Sequence, residues 1–342
     1  MSFWQKLPIL IQDTLNDKSF TPIIEASTLK DILETTIDST LYDFTFYVTT
    51  SDFDAIDFNQ LKTFYDTHYH VVFEVGFFKM LLFLYDGILL RAQLGNTTIG
   101  YFIGTRKLYR FGGKKTCLSE GTMLCIHKDY RNKGVARSVI CELVKWGITY
   151  HKSDKFMFCG SLDIFPKHFC ITHVCVLKNN SSGRSANNNN SQFQITKNIQ
   201  YTKGLHKVFN HFYKTHFDVS CVLKGRDLRY IFRDPTFTKI AVLDTVTKEI
   251  AAMFVLYAMR PDNALLVGEI MYMYFNKFEQ NHVQTCLYTL QSHLTTLDAI
   301  TCLYPFPFPL DVYVTPNVVK FYALNMHVPM CASYRCALTP YS

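Results

Sequence analysis

Residues 122–147, TMLCIHKDYRNKGVARSVICELVKWG, constrain the fold more than any other stretch of this chain. Met123 to Ile126 is a short apolar run with the length of a strand, and His127 to Lys133 is a polar turn. Beyond it, Ala136, Ile140, Leu143, Val144 and Gly147 recur at helical spacing, with Gly147 placed to stop the helix. Arg131-Asn132-Lys133-Gly134 sets two cations and a glycine where that helix begins. The first N–H groups of a helix lack partners and its dipole is positive there, so such a start favours anions. Gly134 lets the backbone approach a phosphate closely. A strand, a basic glycine turn and a helix therefore suit a diphosphate. The patterns GxxxxGK[ST] and GxGxxG are absent, which argues against nucleotide-hydrolase and dinucleotide sites. The same residues also fit an ordinary strand–loop–helix whose basic turn is merely solvated.

A chain of 342 residues has room for about two domains or one large one, and 48% hydrophobic against 18% charged residues is ample for a core. The net charge of +7 fits an anionic small ligand and gives no reason to expect a nucleic-acid partner. Eleven cysteines occur without CxxC pairs, and the opening MSFWQKLPI has neither an apolar core nor a cleavage site. The expectation is free thiols in a reducing, cytoplasmic setting. Glu74, Lys79 and Asp86 interrupt the Phe- and Leu-rich run from Val71 to Leu90, so it is not read as a membrane span.

Along the chain, Leu41–Val48 reads as a strand, Asn59–His68 and Val75–Tyr85 as helices, and Leu89–Leu94 and Thr97–Thr105 as strands around Gly95-Asn96. Arg106 to Lys115 reads as a solvated basic loop around Gly112-Gly113. After the organising stretch come strands at Phe156–Gly160 and Lys167–Leu177. Residues 179–192, NNSSGRSANNNNSQ, are of low complexity and read as a connector. The expected division is an N-terminal half, 1–178, a connector, 179–200, and a C-terminal half, 201–342. The second half repeats the layout: helices at Leu205–His216 and Gly225–Phe232, strands at Ile240–Leu243, Ala251–Tyr257 and Val267–Phe275, and a helix at Gln280–Leu294. Val318 to His327, VVKFYALNMH, resembles the late helix and turn of acyl-CoA N-acyltransferases, written F-Y-x-x-x-G-F, and is followed by a last strand at Tyr334–Leu338. The fold class is α/β, two similar halves packed into one body.

With both halves in view, the chain resembles the eukaryotic-type N-myristoyltransferases in segment order nearly end to end. Phe3-Trp4-Gln5-Lys6-Leu7-Pro8 stands for the family's opening F-W-x-T-Q-P, and FDAIDFNQLKTFYDTHY, Phe53 to Tyr69, for its W-x-x-L-D-L, L-x-x-L-Y and N-Y segments. TMLCIHKDYRNKGV matches N-F-L-C-[VI]-H-K-x-L-R-S-K-R-[VL], with Leu124, Cys125, His127, Lys128, Arg131 and Lys133 in register. Tyr257 and Tyr274 keep the tyrosines of the family's F-F-S-F-Y and Y-S-F-Y strands.

The resemblance implies two acyl-CoA N-acyltransferase-like halves around a saddle-shaped mixed sheet with a pseudo-twofold. The first half would hold myristoyl-CoA as co-substrate, with no permanently bound cofactor and no metal, and the second would build much of the peptide groove. It implies an oxyanion hole of the Met123 and Leu124 backbone N–H groups, which need no particular side chain. Myristoyl-CoA would contact Phe3, Trp4, Met123, Leu124, Cys125 and Ile126, and its diphosphate the turn at Asn132, Gly134, Val135 and Ala136. Tyr257 and Tyr274 would face the peptide, a protein N-terminus beginning with glycine. The base would be the chain's own terminal carboxylate, here that of Ser342. A monomer is implied, with transient membrane or ribosome contact left open. Three departures stand out. Gly134 replaces an arginine, His70-Val71-Val72-Phe73 replaces an acidic run, and Met157-Phe158-Cys159-Gly160 replaces Y-T-A-G. Rival readings are an acyl-CoA-binding protein without transfer and an N-acyltransferase for another chain or amine.

Phe73, Phe77, Phe78, Leu81 and Leu82 could line an acyl pocket or simply form core. His168, Cys170, His173 and Cys175 resemble metal ligands, but strand alternation turns 168 and 170 away from 173 and 175. His206, His211 and His216 are five residues apart, which scatters them around a helix. Cys125 as an acylated nucleophile is weighed against simple strand burial, which is favoured.

Overall fold

A computed structural model describes residues 22–36, 44–160, 168–178, 192–197, 199–261, 265–294, 296–303 and 305–338. The first half runs α1 (Ala26–Thr36), β1 (Thr45–Thr49), α2 (Phe58–His68), β2 (Val71–Phe73), α3 (Val75–Leu84), β3 (Ile88–Leu94), β4 (Thr97–Phe111), β5 (Lys114–Ile126), α4 (Val135–Thr149), β6 (Phe156–Gly160) and β7 (Cys170–Lys178). Then follow β8 (Phe193–Lys197), α5 (Leu205–His216), β9 (Val219–Cys221), α6 (Gly225–Arg233), β10 (Phe237–Asp244), β11 (Ile250–Pro261), β12 (Val267–Phe275), α7 (Gln280–His293), β13 (Ala299–Leu303), β14 (Tyr313–Leu324) and β15 (Cys336–Ala337). The order α2-β2-α3-β3-β4-β5-α4-β6 recurs as α5-β9-α6-β10-β11-β12-α7-β13. The crossover helices explain the repeat. Joining β5 to its parallel neighbour β6 requires α4, and joining β12 to its parallel neighbour β13 requires α7.

All strands belong to one mixed sheet with the path β1-β3-β4-β5-β6-β14-β7-β13-β12-β11-β10-β8; β9 pairs with β4 and β15, and β2 with β11. Strand alternation sends side chains to two cores. Along β3, Ile88, Leu90 and Ala92 pack with Val139, Leu143 and Val144 of α4, whereas Leu89 joins Tyr65 of α2 and Phe78 of α3 on the other face. Helix α2 begins where the Asp57 carboxylate accepts the N–H groups of Asn59 and Gln60, satisfying two orphan donors.

Three sequence expectations change. Arg106–Lys115 is not a solvated loop: β4 continues through Phe111 and turns only at Gly112-Gly113, because β9 pairs with Tyr109 to Phe111 and buries Lys107 and Arg110. Val318–His327 is not a helix: β14 runs to Leu324 between β6 and β7, and its consecutive Phe321 and Tyr322 are buried in different cores, as a strand covered on both faces demands. Gly147 does not end α4, which continues to Thr149; a Cβ there would lie 2.5 Å from the Phe156 ring, so the glycine serves helix–sheet contact. Strand β8 lies within residues 179–200 and pairs with β10. Residues 179–191 fall outside the described residues. Among the described residues, no helix is long and apolar enough to cross a membrane.

Candidate active site

The organising stretch is built around a break in the β4–β5 ladder. Thr122 pairs with Ile103 and Cys125 with Tyr101, so Met123 and Leu124 together stand opposite Phe102. Two residues against one is a β-bulge, and it takes a peptide out of the ladder. Met123 has φ 59, a costly conformation for a side chain of its size. The surroundings hold it there. The Tyr65 hydroxyl of α2 donates to the Met123 carbonyl, and the Tyr65 ring is fully buried with its centroid 4.9 Å from that of Phe78. Burial raises the Tyr65 phenol far above its ordinary range, so it stays a donor. Just before the bulge, a Cβ on Gly121 would meet the Phe158 ring at 2.5 Å and the Phe102 ring at 2.6 Å; only glycine lets these rings close over the strand. Cys125, next to the bulge, is buried, and that burial pushes its thiol up to about 12, which makes it a poor nucleophile.

The chain then enters the basic turn. Asn132 and Gly134 both have positive φ, 61 and 83, which folds the backbone into α4. Gly134 is the N-cap of α4, with no side-chain cap and no acid in the first turn. Among the described residues, a Cβ on Gly134 would have nothing within 4 Å. Arg131 is spent on the backbone, donating from Nε to the Ile126 carbonyl at 3.1 Å and from its other end to the His68 carbonyl. Lys133 lies over the Tyr130 ring. The His68 and His127 rings sit 4.0 Å apart. Burial first, then His127, Lys128 and Arg131, depress the His68 pKa, which reports a positive field on this side. An uncapped helix start beside these cations has the geometry and charge that suit an anion.

Three residues before the bulge lies a feature the sequence reading missed. Glu120 is buried, and its Oε2 accepts from Lys107 Nζ at 2.6 Å and from the Tyr109 hydroxyl at 2.8 Å. Burial pushes the Glu120 carboxyl up, and Lys107 is the largest influence opposing that. The Lys107 ammonium also lies 4.8 Å from the centre of the Tyr85 ring, whose hydroxyl bonds that of Tyr272. Lys107 and Tyr109 stand two apart on one strand face, and that spacing was the available signal. It was lost once Arg106–Lys115 was read as a loop.

The remaining residues scatter. Tyr257 is buried beside Phe77, ring centroids 4.9 Å apart, and its strand partner is Glu269. Burial raises the Glu269 carboxyl to about 7, and the Tyr257 hydroxyl opposes this. Tyr274 is half-buried against Phe209 and Phe212 of α5. Phe73, Phe77, Phe78, Leu81 and Leu82 are at most 1% exposed and sit in the larger core. A pocket does exist, but Tyr213, Cys221, Met271, Tyr272 and Leu338 line it, away from the basic turn. His168, Cys170, His173 and Cys175 do not converge: Cys175 Sγ lies 3.0 Å from Cys302 Sγ, and Cys170 belongs to another thiol group. Phe3, Trp4 and Ser342 lie outside the described residues.

Comparison with solved structures places this geometry. A Saccharomyces cerevisiae N-myristoyltransferase with bound myristoyl-CoA superposes with a TM-score of 0.70 at 12% identity, covering 99% of this chain and 91% of that one. The chain has the fold of N-myristoyltransferase. A second yeast N-myristoyltransferase structure with bound myristoyl-CoA gives 0.68 at 12% identity, over 99% and 94% of the two chains. An Enterococcus faecalis protein of unknown function, described as a probable N-acyltransferase, matches at 0.50 and 11% identity over 82% of this chain and 73% of its own. No protein-family model matches the sequence, and neither does any curated protein. The likeness to the N-myristoyltransferase fold thus rests on structure, as expected at so low an identity.

Proposed function

We propose that this chain transfers a myristoyl group from myristoyl-CoA to the N-terminal glycine amine of protein substrates. The observation that carries this reading is the bulge at Met123-Leu124 running straight into an uncapped basic helix start. It lies in a fold shared with yeast N-myristoyltransferase structures that hold myristoyl-CoA.

In this reading the CoA diphosphate rests on the turn at Asn132, Gly134, Val135 and Ala136, while Cys125 and Ile126 flank the acyl-CoA and Phe3 and Trp4 fold over it. The thioester carbonyl faces the N–H groups of Met123 and Leu124. A neutral glycine amine attacks that carbon directly. The C–N bond forms, negative charge gathers on the oxygen, and the C–S bond breaks to release the CoA thiolate. Fixed donors aimed at that oxygen contribute about 10²–10³ in rate each. An N-terminal amine has a pKa near 8, so the base needs to help only modestly at neutral pH. Tyr257 and Tyr274 border the peptide. The raised Cys125 pKa supports direct transfer over an acyl-cysteine intermediate. A fourteen-carbon chain offers roughly 10 kcal/mol of burial before ordering costs, at about 0.8 kcal/mol per CH₂.

The deciding experiment follows labelled myristoyl from myristoyl-CoA onto short peptides beginning with glycine, with acyl-CoA affinity measured alongside. Transfer supports the proposal. Tight acyl-CoA binding without transfer, across several glycine peptides, would replace it with an acyl-CoA-binding protein. Transfer from other acyl-CoAs alone, or to other amines alone, would replace it with a different N-acyltransferase.

A further inference from the structure

Cys170 meets two cysteines from a distant part of the chain, Cys331 and Cys336, at the start of β7. Cys170 opens that strand, Cys331 lies in the segment after β14, and Cys336 begins β15. Each of the three thiols shifts the ionisation of the others, and the Cys331 thiol donates to the Ala332 carbonyl at 3.5 Å. The backbone fixes the meeting: the Cys331 N–H donates to the Phe169 carbonyl at 2.7 Å, and Cys170 and Cys331 are partners in a parallel bridge. Cys170 and Cys336 are buried, whereas Cys331 is half-exposed. Among the described residues, no cluster of His, Cys, Asp or Glu can hold a metal ion, so this is a thiol site rather than a metal site.

The chemistry of the three differs. Cys331 is the more accessible member. The neighbouring Cys170 and Cys336 thiols lower its pKa, and the Arg335 guanidinium adds to the effect. Burial drives other thiols the opposite way, as for Cys141, Cys221 and Cys286. Bridge partners on parallel strands have Cα atoms about 4.8 Å apart, within the roughly 4.4–6.8 Å window that a disulfide spans.

We propose that Cys331 is a hydroperoxide-reactive site whose oxidised form is captured by Cys170, tying the segment after β14 to β7. In the first step the Cys331 thiolate attacks the peroxide. An S–O bond forms, the O–O bond breaks, sulfur is oxidised to a sulfenic acid, and the peroxide leaves as hydroxide or alkoxide. In the second, Cys170 sulfur attacks Cys331 sulfur. The S–S bond forms, the S–O bond breaks, and the oxygen leaves as water with the Cys170 proton. A dithiol reductant reverses the bond by exchange. The tied segment carries Ala337 and Leu338 to the pocket beside Tyr272.

The test treats the reduced full-length protein with stepwise hydrogen peroxide at pH 7, traps free thiols with N-ethylmaleimide, and maps the peptides by mass spectrometry. The expected result is joint loss of maleimide-reactive Cys170 and Cys331 in equal amounts, with a linked peptide that dithiothreitol releases. Cys331 that stays reactive while the exposed Cys117 is oxidised would overturn the proposal, as would a Cys175–Cys302 bond appearing first. A second readout needs no variant. Iodoacetamide alkylation of Cys331 should be flat from pH 6 to pH 8 at low conversion, and a rate rising about tenfold per pH unit would remove its thiolate character. C331S should abolish the link, and persistence of a Cys170 link in that variant would also overturn the assignment.

Discussion

Removing the Tyr65 hydroxyl is the sharpest test of how the candidate-site bulge is held. In Tyr65→Phe the ring and its packing against Phe78 remain, and only the hydrogen bond to the Met123 carbonyl is lost. A buried carbonyl left without its donor costs about 1–3 kcal/mol, so we take ~2 kcal/mol. For 342 residues at about 2.1 cal/mol/K each, the unfolding entropy is about 0.7 kcal/mol/K, and Tm should fall by about 3 °C. The catalytic effect is separate. Met123 is held at φ 59 partly by this bond, and in the proposed function its release lets the adjacent N–H groups drift from where the oxyanion would form. Losing a whole donor costs about 10²–10³ in kcat, so partial misalignment should cost about tenfold, or ~1.4 kcal/mol. The basic turn is untouched, so acyl-CoA affinity should hold. The assays are thermal unfolding, acyl-CoA binding and single-turnover transfer of labelled myristoyl. A Tm fall with unchanged turnover would refute the claim that this bond aligns the donors. Weaker acyl-CoA binding would mean that bulge and turn move as one.

Other perturbations test neighbouring parts of the argument. Gly134→Glu places a carboxylate over the turn at positive φ and should weaken acyl-CoA binding at least tenfold; unchanged affinity in a titration would remove the diphosphate from that turn. Glu120→Gln leaves Lys107 buried beside a neutral group and should destabilise by about 3 kcal/mol, with Lys107→Met restoring much of it in the double variant; additive losses in a urea-unfolding cycle would deny the coupling. Glu269 has its folded pKa raised to about 7 from 4.5, so the folded state binds the extra proton between those values. Its contribution is therefore full below about pH 4.5 and lost as pH rises through about 7, a change on the order of 3 kcal/mol. Glu269→Gln should flatten that part of the stability–pH curve, and a curve that keeps its slope would place the titration elsewhere.

Much of the fold was legible because its signals are local. Helical spacing marked α2, α3, α4, α5 and α7 to within a few residues, and the Gly95-Asn96 turn separated β3 from β4. The misreadings share a cause. Arg106–Lys115 carries five basic residues and two glycines, a composition that suits a loop in isolation. Yet β9, from the other half of the chain, gives its backbone partners, and Glu120 gives Lys107 a counter-charge. VVKFYALNMH has helix-compatible spacing, but the gap between β6 and β7 needs a strand, and the unmet ladder groups of both neighbours outweigh a weak local preference.

By itself the sequence determined the strand, the basic glycine turn and the helix start of the candidate site, because φ preferences, N–H groups and charges there act over a few residues. Tertiary structure alone decided which carbonyl Tyr65 grips from 58 residues away, where Lys107 finds a buried partner, and which three of eleven cysteines share one site. Those outcomes depend on strand register. A shift of one residue exchanges the two faces of a sheet, and in a sheet packed on both faces that register is set by the whole core at once.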